Sequence, residues 1–202
     1  MHSYQYSSDW IKRYENIHRW AFYWHQIDLV SSVLKEGERI LEIGVGTKFT
    51  SNYLKSKGFH VTTMDIDPDK KPDIVANIVD YEFRETYDHV LAFEVFEHIP
   101  FADFEKALGK ISRICRKYLL MSVPRNEKSW LRIDVELPGR KNLGFGITTR
   151  RRKIISRYHH WEVDFPPWTR HKLEQCFADN GFSVELRRKV SYIYFYSLAK
   201  RK

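Results

Sequence analysis

Residues Leu41–Thr47 read LEIGVGT; they close the apolar run RILEIG (39–44) and open a helical stretch that reaches about Lys57 and breaks at Gly58. Strand, glycine turn and helix in succession are the entry to a βαβ unit. Gly44 and Gly46 let the backbone turn sharply and approach a ligand with no Cβ in the way, and the helix N-terminus behind them offers free N–H groups. A Gly-x-Gly turn alone is shared by dinucleotide enzymes and plain tight turns. Two acids narrow the choice. Glu42 precedes the first glycine, and Asp65 ends a second strand, HVTTMD (60–65). An acid about 20 residues beyond such a turn accepts hydrogen bonds from both hydroxyls of a ribose. The turn-rich DIDPD (65–69) offers a plainer capping role, which applies with more force to Asp67 and Asp69 beside Pro68. Strand-end position and spacing favour ribose for Asp65.

Outward from this turn the chain alternates. DIVAN (73–77) and HVLAFE (89–94) read as third and fourth strands, nearly continuous in apolar character as strands of a covered parallel sheet are. FADFEKALGKISRICRK (101–117) carries Phe101, Phe104, Leu108, Ile111, Ile114 and Cys115 on one helical stripe, and a fifth strand, YLLMSV (118–123), stops at Pro124. A helix from Trp168 or Thr169 to Asn180 stops at Gly181. FSVELRR (182–188) and SYIYFYSLA (191–199) are separated by so few residues that they must pair antiparallel. Residues 8–34 read as one or two helices capped at Ser8 or Asp9, with Trp10, Tyr14, Ile17, Trp20, Ala21 and Trp24 as a core-facing stripe. The expected fold is α/β: a Rossmann-like, doubly wound, mostly parallel seven-stranded sheet with a C-terminal antiparallel hairpin and an N-terminal helical extension. One domain over 1–202 is expected, with helices in 1–37, the cofactor-binding half in 38–123, an irregular substrate lid in 124–167, and helix and hairpin in 168–202.

With 202 residues, 43% of them hydrophobic, the chain suits one compact core. Its first residues lack the apolar stretch of a secretory signal, and no run approaches the ~20 apolar residues of a membrane span. Cys115 and Cys176, both in expected helices among apolar neighbours, suit buried thiols in a reducing compartment, so a cytoplasmic location is expected. Charge is uneven: residues 1–101 hold 11 Lys+Arg against 16 Asp+Glu, and residues 102–202 hold 23 against 10. The basic half, with RICRK (113–117), RRRK (150–153), RRK (187–189) and a terminal KRK, is either a solvated surface or the mark of an anionic partner.

ILEIGVGT, VTTMDID, PDIVANIVD, YDHVLAFEVFEHIP, YLLMSVP and FADNGFSV occur in the order and spacing of class I S-adenosylmethionine-dependent methyltransferases. The chain resembles in particular the bacterial and archaeal group whose fourth strand ends in "evLEHip". The likeness covers about residues 38–125 well and 156–200 more loosely. It implies S-adenosylmethionine as cofactor, its methionine portion against Glu42, Gly44 and Gly46, its ribose on Asp65, its adenine by Asn77 and Ile78, and Phe93 and Glu94 beside the methionine moiety. Where the family often has Asp, Asn77 still accepts through its amide oxygen. Lys48 stands where many relatives have a third glycine, which implies a local difference in the loop. A dehydrogenase is disfavoured because Phe49 occupies the last position of G-x-G-x-x-G.

Methyl transfer asks mainly for alignment, and a base only if the acceptor must lose a proton. Candidates are His98 and the YHHWE run, Tyr158, His159, His160, Trp161 and Glu162, with His160 and Glu162 singled out from it; the alternatives are that His98 starts a helix and that Trp161 is core. No metal site is expected, because His159, His160 and Glu162 lack regular ligand spacing. The leading expectation is methylation of O, N or C of a small metabolite, an anionic one if the basic half marks its partner's sign. The second is a nucleic-acid methyltransferase using the basic half as a phosphate track, although no N/D-P-P-Y/F or paired-cysteine signature occurs; Phe165–Trp168 is not that motif. The third is a silent cofactor-fold binding protein.

Overall fold

The computed structural model describes residues 16–137, 141–149 and 153–201. Seven strands form one sheet: β1 (Arg39–Ile43), β2 (His60–Asp65), β3 (Ile74–Val75), β4 (Tyr87–Phe93), β5 (Cys115–Pro124), β8 (Phe182–Val190) and β9 (Ile193–Lys200). Their order is β3-β2-β1-β4-β5-β9-β8. The first five are parallel, and β9 runs antiparallel to both β5 and β8. The expected doubly wound sheet and terminal hairpin are therefore present. Sheet order reverses between β1 and β4, and in such sheets a ligand crevice opens beyond the carboxyl ends of the strands at that point.

Period-two alternation divides the strand residues between two apolar clusters. Leu41, Ile43, Val90, Ala92, Leu119, Met121, Val123, Tyr194 and Tyr196 join α3 (Phe101–Ile114) and α4 (Arg170–Asp179) on one face. Ile40, Leu91, Leu120, Ile193 and Phe195 meet α1 (Ile17–Ser31) and α2 (Phe49–Ser56) on the other. The stripe expected on 101–117 is buried from Phe101 to Ile114, but the helix ends there. Cys115 is thus the first residue of β5 and not helical; Cys176 lies in α4 as expected, and both thiols are buried and unpaired. Among the described residues no helix is long and apolar enough to cross a membrane.

Two expectations need correction. The N-terminal stripe is the wrong face: Ile17, Trp20, Ala21 and Trp24 are exposed, whereas Phe22, Tyr23, Gln26, Leu29 and Val30 are buried. Both sets repeat at helical spacing, and the buried one also matches the sheet across from it. Asn16, whose side chain accepts from the N–H groups of His18 and Arg19, caps this helix; Ser8, Asp9, Trp10 and Tyr14 lie outside the described residues. The stretch 124–167 is also not irregular throughout, since β6 (Lys128–Leu137) and β7 (Lys141–Thr149) form a separate antiparallel ribbon. Its signals are the alternation of Leu131, Ile133, Val135 and Leu137 and the Pro138-Gly139 pair that follows. Trp130, Leu131, Ile133 and Ile147 on this ribbon are exposed, so it gains little from the main core.

Candidate active site at the carboxyl ends of the strands

Register brings the expected cofactor residues to one edge. Ile43 lies opposite Met64, and Asp65 opposite Val75, so the chain leaves β1, β2 and β3 side by side. Gly44 donates its N–H to Met64 O at 2.8 Å, and Ala76 donates to Asp65 O at 3.1 Å, which extends the ladder one step into the loops. Gly44 (φ +75°) and Gly46 (φ +51°) both use left-handed backbone. A Cβ on Gly44 would sit 2.4 Å from Val95 Cγ2, while one on Gly46 would meet nothing within 4 Å. Gly44 thus lets β1 and the loop after β4 touch, and Gly46 keeps an open concavity. Gly44→Ala should lower stability by about 1–3 kcal/mol through overpacking on a backbone unsuited to Cβ; a chemical-denaturation midpoint equal to wild type would remove this reading.

Lys48 resolves the family departure: it holds φ +63° as the N-cap residue of α2, the conformation a glycine would take there without strain. The N-terminal helix packs over the same turn. Tyr23 stacks on Phe49 at 4.5 Å and its hydroxyl bonds Thr47 Oγ1 at 3.2 Å, and Trp20 meets Phe49 edge-on at 5.2 Å.

Glu42 is 5% exposed at the end of β1, and its Oε2 has no hydrogen-bond partner among the described residues. Burial pushes its carboxyl up to about 7, against hydrogen bonds from Ser51 and with the nearby charge of Asp65 acting in the same upward direction. A buried acid left half-bonded at a glycine turn is a seat for a ligand cation. Asp65 is buried too, but both of its oxygens are engaged: Oδ2 accepts from Val45 N–H at 2.9 Å, Oδ1 from Asp67 N–H at 2.9 Å, and Lys70 Nζ lies 3.1 Å from Oδ2. It pins the glycine turn to the end of β2, a structural duty the sequence did not reveal. Asn77 follows β3, with its amide oxygen accepting from Val79 N–H at 3.0 Å, and Ile78 beside it is buried in the core.

The loop after β4 brings further acids. Phe93 is half-buried; Glu94 (φ +54°) donates its N–H to Ser122 and accepts from Arg19 Nη1 at 3.3 Å through Oε2, while its Oε1 is buried without a partner among the described residues. The 3-10 turn Phe96–His98 follows. Glu97, 1% exposed, is driven well above the usual carboxylate range by burial and by Glu94, and its Oε2 is unpartnered among the described residues. His98 Nδ1 lies 3.1 Å from Tyr158 O, and burial lowers the imidazole to about 4, so it is neutral at pH 7.

Of the three expected catalytic side chains, only His98 belongs to this cluster directly. Glu162 is fully buried and accepts from Asn126 Nδ2 and Ile155 N–H, both at 2.6 Å, and meets His159 Nδ1 at 2.8 Å; it ties three parts of the segment after β5 together. His160 is exposed at its side chain and donates its backbone N–H to Glu97 O at 2.8 Å. His159, passed over in favour of its neighbour, packs edge-on to His98 at 5.1 Å. Glu97 and Arg19 are the site residues that sequence reasoning missed. The i,i+3 pair Glu94/Glu97 in EVFEHIP was the available signal for the first. Arg150, Arg151 and Arg152 lie outside the described residues.

Solved structures share this fold. A protein from Pyrococcus horikoshii OT3 matches with a TM-score of 0.61 at 15% identity, over 92% of this chain and 93% of the other. Magnesium protoporphyrin IX methyltransferase from Synechocystis PCC 6803 with bound SAM gives 0.58 at 16%, over 92% and 80%. Burkholderia thailandensis 1,6-didemethyltoxoflavin-N1-methyltransferase with its substrate and S-adenosylhomocysteine gives 0.60 at 13%, over 96% and 87%. No curated protein sequence matches the chain. The methyltransferase-domain family matches residues 12–186, nearly the whole length. With that match, the sheet order and the acid-flanked glycine turn, the chain belongs to the class I S-adenosylmethionine-dependent methyltransferases.

Proposed function

We propose that the protein methylates a small acceptor at O, N or C, bound beyond the carboxyl end of β4. The observation that carries this reading is the convergence of Glu42, Gly44, Gly46 and Asp65 on one side of the switch point with Glu94, Glu97 and His98 on the other. The residues fit the cofactor: Glu42 Oε2 is a buried acceptor for the methionine ammonium, Gly46 leaves room, and Asp65 is the acid for the ribose hydroxyls. When bound, S-adenosylmethionine supplies an activated methyl on a sulfonium. The chain's own contribution is orientation and exclusion of water: Arg19 and Glu94 close the N-terminal helix over one side, and Trp161 and Glu162 fix the segment after β7 over the other. Neutral His98 stands at the acceptor end, with Glu162 a positioning residue and His160 at the rim. The magnesium protoporphyrin IX and 1,6-didemethyltoxoflavin enzymes, whose acceptors are small molecules, share the fold and support the choice of acceptor class.

Calorimetry tests the reading. S-adenosylmethionine and S-adenosylhomocysteine should bind in the micromolar range, about −8 kcal/mol. Asp65→Ala should weaken them by about 1.5–3 kcal/mol, since it removes a charged acceptor and releases Val45 N–H. Heat with NAD and none with either methyl-cycle ligand would overturn the assignment, and sequence-selective RNA binding that survives about 200 mM salt would shift the acceptor to nucleic acid.

A further inference from the structure

We propose that Glu97, His98 and His159 hold a divalent transition-metal ion at the end of β4. Each offers one donor atom, and the three donors lie within 4.8 Å of one another. Metal–ligand bonds of about 2.1 Å put neighbouring donors about 3–3.5 Å apart, so small side-chain rotations close the site. The residues come from two segments, the 3-10 turn Phe96–His98 and the YHHWE run, which are locked to each other by His160 N–H on Glu97 O (2.8 Å) and by Trp161 Nε1–H on Phe96 O (3.0 Å). The frame that holds the donors is therefore rigid whether or not an ion is bound.

The outer partners carry the inference beyond proximity. A metal-binding imidazole ordinarily donates its other N–H to a carbonyl or carboxylate, which fixes ring angle and tautomer. Both histidines are set up this way: His98 Nδ1 lies 3.1 Å from the Tyr158 carbonyl, and His159 Nδ1 lies 2.8 Å from Glu162 Oε1. In that tautomer Nε2 of each ring carries the lone pair. Independently, the Glu97 carboxylate is buried with Oε2 unpartnered among the described residues, and the carboxylates of Glu94 and Glu162 add negative charge beside it. Buried Glu97 and Glu162 and half-buried Glu94 thus surround the two imidazoles, with Arg19 paired to Glu94 at 3.3 Å. Two imidazoles and carboxylates, with no thiolate nearby, select Mn2+, Fe2+, Co2+ or Zn2+ over Cu+ or an all-oxygen Ca2+ site. Such an ion keeps positions open for oxygen atoms of an acceptor; this role, unlike the site itself, rests on the proposed methyl transfer.

The test uses the full chain after dialysis against a chelator. Zn2+ calorimetry should give one equivalent at micromolar affinity or tighter, and Co2+ should give a visible d–d band that Zn2+ abolishes. Glu97→Gln, close in shape, and His159→Ala should each weaken binding at least tenfold and remove the Co2+ band while S-adenosylmethionine still binds, which shows that the fold persists. Absence of a one-equivalent event, or equal affinity in both variants, overturns the site. Metal binding without S-adenosylmethionine binding would keep the site and remove the functional reading, and the reverse would do the opposite.

Discussion

Replacing Glu42 by glutamine should raise the stability of the cofactor-free protein at pH 8 by about 3 kcal/mol while weakening S-adenosylmethionine binding by about 2 kcal/mol. The opposite signs come from one cause. Burial raises the Glu42 carboxyl in the folded protein to about 7, whereas the unfolded chain leaves it near 4.5. Below about pH 4.5 both states carry the proton and the group has no effect on folding. As pH rises from 4.5 to 7 the unfolded chain releases its proton first, so the folded state loses stability across that window, by about 1.4 kcal/mol for each unit of difference. Glutamine has no proton to lose. Wild type and variant should therefore have similar stability near pH 4.5 and diverge up to pH 7. A ligand ammonium reverses the balance by giving the carboxylate a partner, so wild-type affinity should rise about tenfold per pH unit from 5 to 7. Urea denaturation and calorimetry at several pH values check both limbs. If the glutamine variant is the less stable protein at pH 8, Glu42 is held by contacts other than those described.

The parts of this molecule legible in its sequence are those where one local signal decides one feature. The strand runs around Ile40, Val61, Val90 and Leu119 are apolar on both faces because both faces are covered, and that pattern fixes a parallel sheet before any pairing is known. Gly44 and the acids at positions 42 and 65 are legible for a similar reason, since a strand end, a turn and an acid follow each other at short range. The N-terminal helix failed because two faces carry apolar residues at helical spacing, and only the opposing surface formed by Phe49, Thr50 and Phe195 shows which is buried. The YHHWE run failed for a second reason. Three polar residues within four positions point in different directions, so His159 faces His98, His160 faces solvent and Glu162 turns inward to Asn126. That distribution depends on Trp161, whose burial sets the phase of the run.

Trp161→Ala should accordingly be the most damaging single change outside the sheet, costing about 3–5 kcal/mol. The indole is fully buried, edge-on to Phe101 at 5.1 Å and against Phe104 at 5.3 Å, so truncation leaves a cavity lined by rings that belong to α3 and cannot collapse without moving the sheet face. Its Nε1–H on Phe96 O adds a directional tie to the turn that carries Glu97 and His98. Trp161→Phe separates the two contributions: it keeps most of the packing and should cost about 1–2 kcal/mol, chiefly from the lost indole hydrogen bond to the Phe96 carbonyl, which keeps only the 3.3 Å bond from Ile99 N–H. The functional consequence follows from where the tie ends. Among the described residues the hydrogen bonds of Gly44 and Asp65 run to Met64, Val45, Asp67, Lys70 and Ala76 and none runs to the indole, so a folded Trp161→Phe protein should bind S-adenosylmethionine like wild type. The bond between His98 Nδ1 and Tyr158 O and the edge contact between His98 and His159 both span the seam that Trp161 closes. Loosening that seam should reach the acceptor end selectively. Chemical denaturation with calorimetry on both variants measures these effects, and an alanine variant destabilised by less than about 1.5 kcal/mol would show that Trp161 fills space the core can recover by itself.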